Sequence, residues 1–428
     1  MIDRRGALQG GAALMALAGT GLAGKRAQAA PVLPASNNGM TLARAQRRNG
    51  WIEVDAAAFE ANIDAVCSLI GPSGLCAVMK ADAYGNGIAL LIPSIIRKRV
   101  NLVAITSNDE ARVARALGYR GRLMRIRTAT PEEMEDGFPL RIEEIVGNPA
   151  LAARLQALWT KRAKAPLPVH IALNAGGMSR NGVELSTAYG QADARALLAL
   201  KGLRIVGAMT HYPSEESDDI LGQLRAFNAN LDWLRGEGLT GPLLRHTANT
   251  FATLQHPETR LDMVRVGGAI YGDPGSVKTD RFVPTMAIKS RVAAVNHYPA
   301  GQTVNYDRTF RLERESFLAN VPIGYSDGYR RSFSHANRAE FPKESGNRTE
   351  VLIRGRRFPV VGRVTMNTMM VDVTGFQDGV AIDDEVVLFG AQGQDRITQA
   401  EFEANSSAYA PEMLAVLGAA LPRALKVT

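Results

Sequence analysis

Cysteine is nearly absent from this chain: 428 residues hold two, Cys67 and Cys76. One internal disulfide is the most they can form, so a disulfide-stapled scaffold is excluded. The net charge of +8 is modest for the length, and no dense basic block with interleaved aromatics accompanies it. Nucleic acid is therefore not an expected partner. Past the N-terminal region, no stretch approaches the roughly 18 apolar residues of a membrane span. A Gly-rich phosphate loop after the first strand is also missing, which argues against a doubly wound dinucleotide fold. No metal site is read from the sequence.

What is present is a chain with 46% hydrophobic residues, long enough for two packed domains. Its first thirty residues read as a targeting segment. Arg4-Arg5 precede an uncharged Ala-, Gly- and Leu-rich stretch from Gly6 to Gly24, followed by Ala27-Gln28-Ala29. These are an n-region, an h-region and an A-x-A cleavage site, and the paired arginines point to the twin-arginine route. The expectation is a soluble protein exported to the periplasm: signal peptide 1–30, linker 31–50. An oxidising compartment permits a Cys67–Cys76 bridge, but two buried free thiols fit the spacing equally.

From Trp51 onward, short apolar runs alternate with amphipathic stretches. The runs are Leu75–Met79, Leu102–Ile105, Leu123–Ile126, Ile142–Val146, Val169–Leu173, Ile205–Met209, Leu243–Leu244 and Met263–Val266. Ser107-Asn-Asp-Glu110 reads as a capping box, and Thr130-Pro131 and Asn148-Pro149 as helix starts. Eight such βα units predict a (β/α)8 barrel over 51–280. Polar groups follow the strands repeatedly (Lys80, Arg180, His211, His246 to Thr250, Arg265), and barrel strand ends converge on one active-site face. After Asp273 the runs become β-branched and turn-separated, predicting a β domain over 281–428. The polar segment His335–Arg348 reads as an extended loop.

The chemistry begins at Lys80-Ala-Asp-Ala-Tyr84-Gly-Asn86, where a buried strand gives way to a glycine turn. A lysine amine there can form a Schiff base with pyridoxal phosphate, and the Tyr84 hydroxyl can reach the phosphate. This KADAYG stretch resembles the cofactor-lysine motif of the alanine racemase family, type III pyridoxal phosphate fold. The resemblance runs from Trp51 to Gly390. Gly176-Gly-Met-Ser-Arg180-Asn181-Gly is similar to the loop whose arginine meets the cofactor phenolic oxygen and substrate carboxylate. Thr210-His211-Tyr212 and His246-Thr-Ala-Asn249-Thr250 match further cofactor contacts, with Thr250 in place of the usual serine. Arg265-Val-Gly267-Gly-Ala-Ile-Tyr271 resembles the motif whose arginine bonds the pyridine nitrogen, with Val266 where proline is usual. Gly324-Tyr325-Ser-Asp-Gly328 is similar to the family's GY-x-DG signature, and Met366 to its carboxylate-binding methionine, with Asn367 in place of aspartate.

The resemblance implies racemisation by two bases: Lys80, and Tyr325 from the partner subunit of a homodimer. An arginine opposite the pyridine nitrogen cannot give up its proton, so the ring is a restrained electron sink, which favours racemisation over decarboxylation or transamination. The targeting segment, Cys76-Ala-Val-Met-Lys80, Asn174, Met178 to Asn181 and Met366-Asn367 together resemble the periplasmic broad-specificity amino-acid racemases more than the alanine-specific enzymes, which are the alternative. A non-catalytic cofactor carrier and a fold-related decarboxylase are less favoured, because Tyr325, Met366 and Arg265 argue against them. Departures remain. Asn86 stands where histidine is usual, the C-terminal phosphate tyrosine aligns with Leu414, and the subgroup's disulfide partner of Cys76 falls near Leu102.

Overall fold

The computed structural model describes residues 40–177, 182–340 and 348–427. The expected signal segment, Arg180 and Asn181 therefore lie outside the described residues. The first strand, β1 (Gly50–Val54), is buried at every position. Eight parallel strands follow: β2 (Gly74–Val78), β3 (Leu102–Ile105), β4 (Arg122–Arg125), β5 (Ile142–Val146), β6 (Leu167–Ala172), β7 (Leu203–Met209), β8 (Leu244–His246) and β9 (Met263–Val266). Their order is β8-β7-β6-β5-β4-β3-β2-β9, each matching one of the expected runs. The gap between β8 and β9 is closed by the Arg265 amide donating to the Ala248 carbonyl at 2.9 Å.

The helix starts behave as the sequence chemistry requires. Ser107 and Glu110 form a reciprocal capping box, and Thr130 and Asn148 cap helices that carry proline in the first turn. Alternate strand residues fill the barrel interior: Cys76, Val78, Leu102, Ala104, Met124, Ile126, Ile145, Ala172, Met209 and Met263 form one apolar cluster. Cys76 sits opposite Leu102 across β2 and β3, while Cys67 is exposed on a helix, so both thiols are free.

One expectation needs correction. The barrel was read from residue 51, yet β1 pairs antiparallel with Met286–Arg291 and parallel with Arg423–Leu425, inside the second sheet. The chain thus enters and leaves through the C-terminal sheet, and the barrel proper starts with β2. That second sheet includes the β-branched runs Ser316–Val321, Glu350–Ile353, Arg356–Val361, Met369–Asp372 and Glu385–Gln392. Two helices, Gln399–Ser406 and Ala410–Ala420, accompany it. The second packs against the turn after β2, where a Cβ on Gly418 would overlap the backbone of Gly85.

Candidate active site

At the C-terminal end of β2 the backbone turns in an unusual sense. Ala81, Asp82, Ala83 and Tyr84 all have φ between 52° and 57°, and Gly85 follows at 81°. A left-handed turn costs L-residues roughly 1–2 kcal/mol each, so four in a row persist only under restraint. The restraints are visible. The Asp82 amide donates to Glu110 Oε1 (3.0 Å), and Asp82 Oδ1 accepts from the Ile88 amide (2.7 Å). Asp82 Oδ2 pairs with Arg423 Nη2 at 2.8 Å, and Arg423 Nη1 donates to the Gly85 carbonyl at 3.2 Å. Asn86 is buried, donates to the Ala83 carbonyl (3.0 Å) and accepts from Thr285 Oγ1 (2.8 Å). The turn leaves Lys80 at the barrel mouth, its Nζ 5.5 Å from the Tyr84 ring centroid.

Lys80 and Tyr84 line a cavity of about 220 Å³ with His211, Asn249, Thr250, Arg265 and Gly267. Seven of the sequence-selected residues, drawn from four strand ends, thus share one wall. Gly267 is there for space: a Cβ would overlap the Tyr84 hydroxyl. Asn249 caps the next helix, its Oδ1 accepting from the Ala252 amide. Arg265 is buried and pinned by three carbonyls, those of His246 (2.6 Å), Thr210 (2.8 Å) and Thr247 (3.0 Å). Its Nη2 also lies 3.3 Å from His211 Nδ1, which must accept, because a guanidinium only donates.

Other selected residues stand elsewhere. Tyr271 lies behind Tyr84 at 4.8 Å between ring centroids, its hydroxyl donating to the Val78 carbonyl. Burial pushes its pKa up. Asn174 hydrogen-bonds Glu184, away from the cavity wall. Tyr325 and Met366 form an exposed edge on the second domain, 42% and 53% exposed. The Tyr325 amide donates to the Thr365 carbonyl, and Asn367 Nδ2 donates to Ser326 Oγ, tying the two loops together.

Two tyrosines were missed. Tyr409, which precedes the helix Ala410–Ala420, lines the cavity with Thr250, whereas Leu414 is half-buried and packs against the core. Tyr409 is 62% exposed, yet partial desolvation of its hydroxyl, with Asp273 and Glu403 nearby, pushes its pKa up, so the hydroxyl keeps its proton. Tyr306 is 70% exposed between Asn305 (φ 57°) and Asp307 (φ 60°). Asn305 Nδ2 donates to the Arg363 carbonyl, and Asp307 pairs with Arg363 Nε at 2.8 Å, which joins this loop to the Met366 edge. The only sequence signal was a tyrosine beside Asn and Asp, residues that tolerate positive φ.

Comparison with known proteins agrees with this geometry. The chain matches the family described as alanine racemase, N-terminal domain, over residues 54–274, and alanine racemase, C-terminal domain, over 285–425. It is 46% identical to a broad specificity amino-acid racemase of Aeromonas hydrophila, over 95% of this chain and 97% of that one. A broad specificity amino-acid racemase of Pseudomonas putida is 48% identical over 93% and 94%. A lysine racemase of Proteus mirabilis is 43% identical over 88% and 89%. Among solved structures, alanine racemase from Bacillus anthracis with bound L-Ala-P superposes with a TM-score of 0.78 at 26% identity, covering 89% of this chain and 95% of that one. A matched profile over both halves, with an eight-stranded barrel carrying Lys80 and Arg265 at its mouth, establishes that this chain belongs to the alanine racemase family.

Proposed function

We propose that this protein racemises free amino acids of several side-chain types, using pyridoxal 5'-phosphate held in the Lys80 cavity. The observation that carries the reading is the convergence of Lys80, Tyr84, Asn249, Thr250 and Gly267 on one cavity with a pinned Arg265. These residues fit the cofactor: an amine for its aldehyde, hydroxyls and an amide for a phosphate, and a guanidinium for its ring nitrogen. When bound, pyridoxal phosphate supplies the aldehyde and a ring that takes up charge from the α-carbon. Arg265 orients that ring while keeping its own proton. Lys80 moves the α-proton on one face. Relatives named as broad specificity and lysine racemases favour a wide substrate range over alanine alone.

The opposite face needs a second base, and neither Tyr306 nor Tyr325 lines its own chain's cavity. We therefore infer a homodimer in which a partner subunit's tyrosine completes each site. Tyr325 carries the sequence motif. Tyr306 has greater exposure and is flanked by strained backbone, a mark of functional positions. On that criterion Tyr306 is the base and Tyr325, with Met366 and Asn367, walls the substrate pocket. Arg180 and Asn181 are proposed to hold the substrate carboxylate. Export to the periplasm belongs to the same proposal and is supported by Arg4-Arg5 and the segment after them; replacing both with lysine should leave activity in the cytoplasm.

The test is incubation of purified protein with single L-amino acids in deuterated water, read by chiral separation. D-enantiomer labelled at the α-carbon supports the reading; carbon dioxide release or no reaction overturns it. Lys80→Ala must lose the visible absorbance of lysine-bound cofactor. Tyr306→Phe and Tyr325→Phe should differ, with only the base variant losing deuterium exchange from one enantiomer more than the other. Mixing Lys80→Ala with the inactive tyrosine variant should regain activity if sites are shared.

A further inference from the structure

Five polar side chains cross the barrel interior in one hydrogen-bonded line, from the cofactor face to the opposite end. Arg265 Nη1 lies 3.1 Å from His246 Nδ1. His246 Nε2 is 2.8 Å from His170 Nδ1, and His170 Nε2 is 2.7 Å from Glu143 Oε2. Arg122 closes the line with Nε and Nη2 on the two Glu143 oxygens, each at 2.7 Å. His170 and His246 are completely buried. Arg122 and Glu143 line a depression at the other end, together with Pro168, Arg204 and Leu244.

The proton order along this line is unique. A guanidinium only donates, so His246 Nδ1 is bare and its proton sits on Nε2. That N–H donates to His170 Nδ1, which must also be bare, so His170 carries its proton on Nε2 and donates to Glu143. The carboxylate accepts at both ends: burial raises its pKa, but hydrogen bonds from His170 and Arg122 bring it down to about 2. Burial lowers the pKa of both rings, keeping them neutral.

The backbone makes room for this arrangement. The β6–β7 ladder shifts register between Val169 and His170, and a Cβ on the facing Gly207 would overlap His170 Nδ1. Space and register both serve the His170 ring.

We propose that Glu143 and His170 are positioning residues for Arg265: the carboxylate fixes the tautomer of His170, His170 fixes that of His246, and His246 holds Arg265 Nη1 in place. Reversing one ring puts an N–H against an N–H at the next contact, and the misfit ends at Arg265. The consequence for catalysis rests on the racemase reading; the proton order does not.

The wild-type holoenzyme, labelled with ¹⁵N-histidine, tests the order directly. Both buried rings should carry Nε2–H and show a coupling across the His246–His170 hydrogen bond. A proton on Nδ1 of either ring, or no coupling between them, overturns the proposal even if no reaction is ever found. Glu143→Gln then tests the consequence, because its carboxamide can donate to His170 Nε2 and reverse the line. Both rings should move to Nδ1–H, the bound-cofactor absorbance should shift, and kcat should fall about 10–100-fold, the usual scale of outer-shell effects, with KM moving less. Glu143→Asp should restore the wild-type ring signals and part of kcat. Reversed rings with unchanged kcat and absorbance, or unreversed rings in Glu143→Gln, refute the positioning role. If Glu143→Gln does not fold, Gly207→Ser and the wild-type spectrum decide: a folded Gly207→Ser that displaces His170 yet leaves His246 and kcat unaltered also refutes it.

Discussion

Replacing Arg423 with methionine should release the Lys80 turn without dissolving the barrel. Arg423 comes from the last strand of the C-terminal sheet, is almost fully buried, and spans Asp82 Oδ2 and the Gly85 carbonyl. The turn it restrains holds four non-glycine residues at positive φ, a cost of roughly 4–8 kcal/mol at 1–2 each. Breaking a buried pair from one side costs about 3–5 kcal/mol. Asp82 is 33% exposed, so the lower end, about 3 kcal/mol, applies. That is enough to undo much of the restraint, and at 1.36 kcal/mol per decade it corresponds to about a hundredfold loss of productive Lys80 geometry. The expected result is a kcat near one hundredth of wild type, weakened cofactor absorbance, and faster amide exchange confined to residues 81–87. Adding Asp82→Asn should recover part of the loss, since it removes the stranded carboxylate. Wild-type kcat and unchanged exchange at 81–87 in Arg423→Met would refute the reasoning. Uniformly faster exchange across the barrel would also refute it, by showing a global role.

Three further outcomes follow from individual contacts. Tyr409→Phe removes one cavity hydroxyl and should raise the cofactor dissociation constant severalfold, about 1 kcal/mol, in fluorescence titration; Leu414→Ala should alter thermal stability instead. Stability should fall with acid in two windows. Below the ordinary histidine value of 6.5, the unfolded chain takes up protons that buried His170 and His246 refuse, so the unfolding midpoint drops as pH falls from there. Glu143 adds stability that is complete above 4.5 and is lost as pH falls toward about 2. His170→Gln should flatten the first window, as calorimetry at stepped pH can show. Leu102→Cys should oxidise with Cys76, its cross-strand neighbour, giving a mass two hydrogens lighter and about 2–4 kcal/mol of stability.

The strand-by-strand layout of the barrel was legible because eight buried parallel strands need eight apolar runs, and helix caps have local chemistry. Motif residues around the Lys80 cavity could be read for a similar reason: each lies within a few positions of a strand end. Tyr409 and Tyr306 were not legible, because what marks them is nearness to distant loops and exposure. The pairing of β1 with strands more than two hundred residues away was equally hidden, as was the helix packed on Gly85.

By itself, then, the sequence determined the barrel order, the lysine at the end of β2, and the arginine that lines the same cavity. Only the tertiary structure decided the left-handed turn that presents Lys80, since isolated Ala-Asp-Ala-Tyr has no reason to adopt positive φ. It takes Arg423, Glu110 and Thr285, brought from three other parts of the chain, to outweigh that local cost. The same holds for the line from Arg122 to Arg265. Each residue is ordinary in the sequence, and the closed barrel alone sets five of them at hydrogen-bond distance, from the open end at Arg122 to the buried histidines and Arg265.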